Sequence, residues 1–551
     1  MNILFIQNVA TPLKTLEDFL SRKSDNYSPS FSYPLGLMTL TSYARLRFSD
    51  LTFQIIDGGM EIYRLFTQPD RAPSSTESFL QGLLEKSKYI PDLVGIAVSV
   101  SFGHGALLRL LSLIKQKWPH TQIVLGGVHA TVFAHRLIDE PAIDYIIRGA
   151  GELPFCALID SLQKGIKPSN IPGLLTKGGP LETLAPPFAN LDELPLPAYD
   201  LIDVDYYATH ERGVSVREPG MRSAHIKISR GCFFRCTFCA GSVIHGRKVL
   251  LRSVDKIIED IRTLITRFNI NTIAVDDELF GFDKDHFHLL FQRIKETGLH
   301  FKFNFPHGFS VGILNNDLID ALAENGMDSS VIAIESGSAH VQKKVIKKNV
   351  DLEKAKGLAA HFRKRAITLY AFFMFGNPGE DESMMQETIR YARELPIDWA
   401  YFFIAYPFLG TEMSETLIKN GVLSEKDLLS IYDNTDLYKR HFDTPEISAM
   451  ALNKLAYDAN IDVNFFHNYN MRNGCYEKAI DKFSSVIQHY PFHIIAIACR
   501  IYCYEKIGQA ELAHQDGDML RARIIDNPEA ARLFASYESD LKDLLPHLPF
   551  K

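Results

Sequence analysis

Little in this chain points to a membrane, a nucleic acid or an oxidising compartment. Its 551 residues carry 59 Lys and Arg against 66 Asp and Glu, a net charge of −7. No excess of positive charge marks a surface for a polyanion or an anionic bilayer. The apolar runs are interrupted by Gly and Ser and fall short of the ~20 residues that a spanning helix needs. The opening, Met1-Asn2-Ile3-Leu4-Phe5-Ile6-Gln7, has no basic segment and reads as a first β-strand, not a secretion signal. Cysteine is scarce, seven in all, too few for a disulfide framework at this length, so reduced thiols and a cytoplasmic protein are expected. Hydrophobic residues at 46% and charged residues at 23% describe an ordinary globular chain, long enough for about three domains.

Three of the few cysteines stand together. Cys232-Phe-Phe-Arg-Cys236-Thr-Phe-Cys239 is a C-x₃-C-x₂-C run that can converge on one metal centre. A closed zinc site wants four ligands, and most iron–sulfur clusters want four cysteines. The remaining cysteines, Cys156, Cys475, Cys499 and Cys503, are distant in sequence. The spacing therefore suggests a cluster with one iron open to another ligand; three core cysteines or half of a zinc site are the plainer readings. Before the run, His225 to Gly231 alternates as a strand ending in glycine. After it, Ser253 opens an amphipathic helix through Ile261.

The rest of the chain predicts an α/β protein with a helical tail. Residues 1–175 alternate apolar strands with helices, the pattern of a Rossmann-like, doubly wound domain that binds ligand beyond the strand carboxyl ends. Those ends are marked by Ser99, Ser101 and Gly103, by Gly126-Gly127-Val128-His129-Ala130-Thr131, and by Arg148-Gly149-Ala150-Gly151-Glu152. Residues 176–218 are rich in Pro, Leu and Asp and lack periodicity, so an ordered connecting segment is expected. Residues 219–415 alternate again, with six strand–helix units that predict a partial (β/α)₆ TIM-like barrel. Residues 416–551 are helical throughout. Near 470–525, Gly474 to Ile480 is echoed by Gly508 to Ala513 at an offset that resembles the tetratricopeptide repeat. Cys499 and Cys503 share one helix face there and are expected to pack in a core.

Strand, cysteine loop and helix in this order resemble the radical S-adenosylmethionine (SAM) superfamily. The resemblance implies a 4Fe–4S cluster on Cys232, Cys236 and Cys239, with SAM on the open iron. It implies SAM contacts from Phe238, from Asp276 and Asp277, from Glu335 and Ser336, and from Gly376, Asn377, Pro378 and Gly379. The N-terminal loops resemble the cobalamin-binding domain fused to many such enzymes, where Gly-Glu-Gly-Glu is usual in place of Gly149-Ala150-Gly151-Glu152. Cobalamin contacts are implied at Ser99, Ser101, Gly126, Gly127, His129, Thr131, Gly149, Gly151 and Glu152. The loop Gln7 to Pro12 lacks the Asp-x-His-x-x-Gly motif, so no protein histidine beneath cobalt is expected. His307 and Tyr406 sit at strand ends and are candidate substrate contacts, with packing the plainer reading for both.

The resemblance implies a cobalamin-dependent radical SAM C-methyltransferase. It would act on an unactivated carbon through a 5′-deoxyadenosyl radical and methylcobalamin. A cyclase or rearrangement enzyme would need the same motifs, and a zinc-bearing scaffold with a partner-binding tail stands as a third reading. A small-molecule or peptide substrate, an electron donor such as flavodoxin or ferredoxin, and a protein contact through the C-terminal helices complete the expectation. Anaerobic purification separates the classes. A brown protein holding iron and sulfide is expected, and Cys236→Ala should lose most of both by metal analysis. Zinc without iron, sulfide or cobalt would exclude the enzyme.

Overall fold

The first apolar run folds as β1 (Asn2–Gln7), and parallel strands assemble on both of its sides. β2 (Thr52–Asp57), β3 (Leu93–Ala97), β4 (Gln122–Gly126), β5 (Tyr145–Ile147) and β6 (Leu174–Thr176) give the order β2-β1-β3-β4-β5-β6. All pairs are parallel except β5 with β6. The order reverses between β1 and β3, and a crevice opens at such a point because the connecting helices depart to opposite faces. Glycine lets the backbones close in there. A Cβ on Gly103 would stand 1.8 Å from the Val9 carbonyl oxygen, and Gly127 has φ 102° against Val98. The computed structural model describes residues 1–23, 29–68, 73–181, 184–186, 188–213, 217, 219–434 and 439–548.

Two compact units emerge, and neither is a contiguous stretch of chain. The first holds Met1–Phe309, Ala321–Met327 and Tyr406–His441; the second holds Ser310–Asp320, Asp328–Ala405 and Phe442–Lys551. Besides the Rossmann-like sheet, the first unit contains β7 (Ser223–Ile226), β8 (Ser229–Arg230), β9 (Leu250–Leu251), β10 (Thr272–Val275) and β11 (Lys302–Asn304). β7, β10 and β11 form one parallel sheet, and β8 pairs antiparallel with β9. The strand expected over 225–229 is thus two short strands. Its second half turns away to close the neck of the cysteine loop.

The connecting segment is more regular than its sequence suggested. Short 3₁₀ turns cover Leu191–Glu193 and Tyr199–Leu201, and a helix covers Val204–His210. The Asp203 side chain caps that helix by accepting from the Tyr206 amide. Seven residues are too few to display a helical period, which is why the helix was not legible. Residues 182, 183, 187, 214–216 and 218 of this segment lie outside the described ones.

The second unit carries the sheet β12-β13-β14-β15, with β12 (Phe309–Ser310) entering at Ser310, then β13 (Ser329–Glu335), β14 (Thr368–Phe375) and β15 (Trp399–Ile404). β13, β14 and β15 run parallel, with Tyr370 facing Trp399 and Phe375 facing Ile404. The expected α/β class with a helical tail therefore holds, while the six barrel strands fall in two sheets. The C-terminal helices belong to the second unit. Asn464, 1% exposed, accepts from the Ala400 amide and donates to the Ala400 carbonyl at 2.7 Å each. Trp399 meets Phe465 edge-on, and Asp398 accepts from Asn470 at 2.8 Å. Phe483, Ile495, Cys499, Cys503 and Leu520 make the helical core. Burial pushes the Cys503 thiol up to about 12 and raises the Cys499 thiol as well, so both are inert packing groups. Gly474 and Gly508 share the left-handed conformation, φ 76° and 75°, ahead of helices Tyr476–His489 and Ala510–Asp526.

Asn464 satisfies both backbone groups of one residue on the edge strand β15. Asn464→Ala strands two buried partners, each worth ~1–3 kcal/mol. A loss of about 2–4 kcal/mol is expected in urea unfolding of the full chain; a loss below ~1 kcal/mol would mean that water replaces the amide.

Candidate active site

In the first unit a cavity of about 740 Å³ lies beyond the carboxyl ends of β1, β3, β4 and β5. Ser99, Gly126, Gly127, Gly149, Gly151 and Glu152 line it, as the strand-end glycines led one to expect. Ser101, His129 and Thr131 are absent from the lining and stand behind it. His129 is fully buried, with Nδ1 2.9 Å from Ser101 Oγ and Nε2 3.1 Å from His104 Nδ1. Burial, with His104 beside it, pushes the His129 imidazole down to about 3. Thr131 Oγ1 donates to the Gly127 carbonyl at 2.8 Å and accepts from the Gly149 amide at 3.1 Å. These three residues tie the loops to one another; the geometry gives them no ligand contact.

The opposite wall comes from the sheet of β7 and β10 and from the helix Gly241–His245 that follows the cysteines. Arg230 Nη1 lies 2.6 Å from Glu152 Oε1, a buried ion pair between the cysteine strand and the glycine loop. Lys227 Nζ donates to the Asp276 carbonyl at 2.7 Å and to Glu278 Oε1 at 3.2 Å. Three acceptors on this lining are buried without a hydrogen-bond partner: Asn8 Oδ1, Glu152 Oε2 and Glu278 Oε2. Orphaned buried acceptors call for a donor-bearing ligand. The primary amides around a corrin ring are such donors, so the cavity fits cobalamin.

The cysteine loop is pinched at its base by Ser229 and Arg230 pairing with Leu251 and Leu250. A Cβ on Gly231, whose φ is 103°, would stand 2.2 Å from the Lys248 carbonyl oxygen, so only glycine lets the neck close. Cys239 donates its amide to the Cys236 carbonyl at 3.2 Å and accepts the Gly241 amide on Sγ at 3.3 Å. None of the three is disulfide-bonded; Cys239 is exposed and the other two half-buried. Among the described residues no three His, Cys, Asp or Glu side chains gather as a site for a single ion. Three thiols on one short loop, none in a disulfide and Cys239 taking a backbone N–H…S bond, fit a cluster held from one side. Phe238 is half-buried beside Cys239.

Asp276 lines the cavity and Asp277 turns inward. Asp277 accepts from the Ile228 amide at 2.8 Å and from Ser229 Oγ at 2.7 Å, so it ties the end of β10 to the start of β8 and both of its oxygens are engaged within the fold. Burial pushes its carboxyl up to about 6. For Asp276 burial acts in the same sense, but the neighbouring His225 and His307 outweigh it and hold the carboxyl well below the usual range. His307 reaches the lining and bonds Asp276. Tyr406 does not line the cavity; it packs edge-on against Phe102 at 4.9 Å, an architectural contact.

In the second unit, Glu335 ends β13 with φ 72°, a conformation that strains a residue bearing a Cβ. Lys348 Nζ lies 2.7 Å from its carboxylate, and both side chains are nearly buried. Ser336 is fully buried: its Oγ lies 3.0 Å from Thr388 Oγ1, and its carbonyl accepts from Gln342. The turn after β14 places Gly376 at φ 80° and Gly379 at φ 88°, with Pro378 half-buried between them. Asn377 donates to Glu380, leaving Asn377 Oδ1 buried and unpartnered.

Sequence reasoning missed Asn8, Lys227, Arg230, His245 and Glu278 on the lining. Lys227 and Arg230 were detectable as charges in the otherwise apolar run before Cys232. Glu211, which anchors the wall from the connecting segment, carried no signal.

Strand order, cavity and cysteine loop define a two-domain cofactor enzyme. Residues 226–392 match the Radical SAM superfamily and residues 57–159 match the B12 binding domain. A cytidylyl-2-hydroxyethylphosphonate methyltransferase of Streptomyces wedmorensis is 28% identical over 372 residues, 62% of this chain and 69% of that protein. An uncharacterized methyltransferase of Pyrococcus horikoshii is 29% identical over 422 residues, 76% of this chain and 85% of that one. The solved structure of OxsB, a cobalamin-dependent S-adenosylmethionine radical enzyme, superposes with a TM-score of 0.60 at 15% identity, covering 99% of this chain and 84% of that one. The chain thus carries a radical SAM domain and a B12-binding domain, and the cofactors these two domains imply are a 4Fe–4S cluster, SAM and cobalamin.

Asp277 yields a pH prediction. Its carboxyl moves from 3.8 in the unfolded chain to about 6 when folded. The native state therefore holds the proton more tightly, and stability falls as pH rises from about 4 to about 6. The drop is on the order of 3 kcal/mol. Asp57 is also pushed up to about 6 by burial and adds a second such drop. Asp277→Asn should remove only the first, so that between about pH 4 and pH 6 its unfolding free energy changes relative to wild type by on the order of 3 kcal/mol; parallel curves for the two proteins would refute the assignment.

Proposed function

We propose that this enzyme is a C-methyltransferase acting on an unactivated carbon of a small molecule. One observation carries the reading: a single cavity is lined both by the glycine loops of the B12 domain and by the helix that follows the three cysteines. When bound, the cluster, SAM and cobalamin supply a hydrogen-abstracting radical and a methyl donor. The chain's own residues hold the geometry. Arg230 and Glu152 fix the cysteine strand to the glycine loop. Gly126, Gly127, Gly149 and Gly151 let a ligand approach the backbone. Phe31, Tyr33, Leu37 and Phe155 make the wall largely apolar, which excludes the water that would quench a radical.

We further propose that Glu335, Ser336 and the Gly376–Gly379 turn serve SAM, supported by the strained Glu335 backbone and the unpartnered Asn377 Oδ1. Seven thiols without a disulfide support a reducing cytoplasm, where a flavodoxin or ferredoxin supplies electrons. No described helix is long and apolar enough to cross a membrane. A peptide substrate or a protein partner on the C-terminal helices is kept as a further expectation.

The test uses the full chain purified without oxygen, loaded with iron, sulfide and hydroxocobalamin, and given methyl-deuterated SAM and a reductant. The candidate panel includes cytidylyl-2-hydroxyethylphosphonate. Expected products are 5′-deoxyadenosine, S-adenosylhomocysteine and a molecule carrying the labelled methyl group, by mass spectrometry. Deoxyadenosine with a rearranged, unmethylated product would favour the cyclase reading. A loaded protein that forms no deoxyadenosine would overturn both.

A further inference from the structure

A chain of four ionisable side chains runs from the buried connecting segment to the cavity wall. Glu211, fully buried, accepts from the Gly213 amide and from Ser223 Oγ, and pairs with Arg217 at 3.2 Å. His225, 1% exposed, sets Nε2 3.4 Å from Glu211 Oε1 and Nδ1 3.7 Å from Asp276 Oδ1, the second an ion-pair distance rather than a hydrogen bond. Burial opposes charge on His225, yet the two carboxylates outweigh it and push the imidazole up to about 9. His225 is thus a trapped imidazolium between two anions. The same Asp276 Oδ1 reaches outward to His307 Nε2 at 2.6 Å.

His307 is the only open member of the chain: 60% of its side chain is exposed, against 2% for His225 and 22% for Asp276. An ionised carboxylate is an acceptor only, so the proton between Asp276 and His307 belongs to Nε2. In its neutral form the ring then carries its lone pair on Nδ1. Among the described residues packing does not require that pairing, because His307 sits on a short turn after β11 with most of its side chain exposed.

We propose that His307 is a specificity-determining residue whose Nδ1 accepts a hydrogen bond from a hydroxyl or amine of the substrate. Asp276 is its positioning residue. It fixes the tautomer, and His225 with Glu211 fixes Asp276. The preferred substrate therefore brings its own hydrogen to this corner, an O–H or N–H; an ether oxygen or a bare anionic oxygen offers no donor. This rests on the reading of the cavity as an active site and names a chemical class for what enters it.

Two measurements test it. In full-length protein with ¹⁵N-labelled imidazoles, His307 is assigned as the ring missing from His307→Gln. At about pH 8, above the usual histidine pKa, a pyrrole-type Nε2 and a pyridine-type Nδ1 are expected. Asp276→Asn should average the two. A wild-type ring carrying its proton on Nδ1, averaging between tautomers, or protonated on both nitrogens as an anion receptor would be, overturns the proposal whether or not the chain methylates anything. On a hydroxylated substrate found in the panel, wild type should prefer it over its deoxygenated analogue, and His307→Phe should reduce that preference in kcat/KM about tenfold, the worth of one hydrogen bond. A preference unchanged in His307→Phe overturns the proposal. Loss of all methyl transfer in wild type would instead count against the methyltransferase reading, and the tautomer measurement would still decide this one.

Discussion

The ion pair of Arg230 with Glu152 joins two pieces of chain that are far apart in sequence and carry different chemistry. Arg230 is two residues before the first cysteine, and Glu152 closes the last glycine loop of the B12 domain. Both are nearly buried, so breaking the pair from one side would leave an uncompensated charge in a low-dielectric wall. Burial would raise the Glu152 carboxyl, and Arg230 outweighs it and holds the group low. Such a pair contributes little net stability compared with apolar packing, but it fixes a distance. The distance between the cysteine loop and the glycine loop is what this pair guarantees.

Around this link the polar groups divide by direction. His129, Thr131 and Ser101 bond inward and make the loops rigid. Asp277 bonds inward and joins two strands. Asn8, Glu152 and Glu278, all on the cavity lining, each keep one buried acceptor atom without a hydrogen-bond partner among the described residues. The loops are thus stiff behind the cavity, and its lining holds polar capacity that the described residues leave unused.

The fold class and the cysteine loop were legible in the sequence because both follow local rules. Strands of four to six apolar residues ending in glycine are visible without an alignment, and three cysteines in eight residues have few meanings. The direction of side chains was not legible. Asp276 and Asp277 are adjacent just past the end of β10, where one lines the cavity and the other bonds inward; their sequence motif does not say which. His129 lies in a loop whose glycines face the ligand, yet a short helix carries the imidazole backward. Glu211 belongs to a Pro- and Leu-rich stretch, and only the tertiary fold brings it to His225. The division of the barrel strands between two sheets was equally hidden, since each strand reads alike along the chain.

Asn464 gives the fold an order in time. A ribosome delivers β15 before it delivers the helix that covers Ala400, so an aromatic edge strand stands open during that interval. Tyr401 and Phe403 on this strand stay exposed even in the finished protein. An open, aromatic, uncharged edge is the kind of surface on which a second nascent chain can add a strand. Yield in a cell should therefore respond to the pace of translation between β15 and the first C-terminal helices, a dependence set by one asparagine.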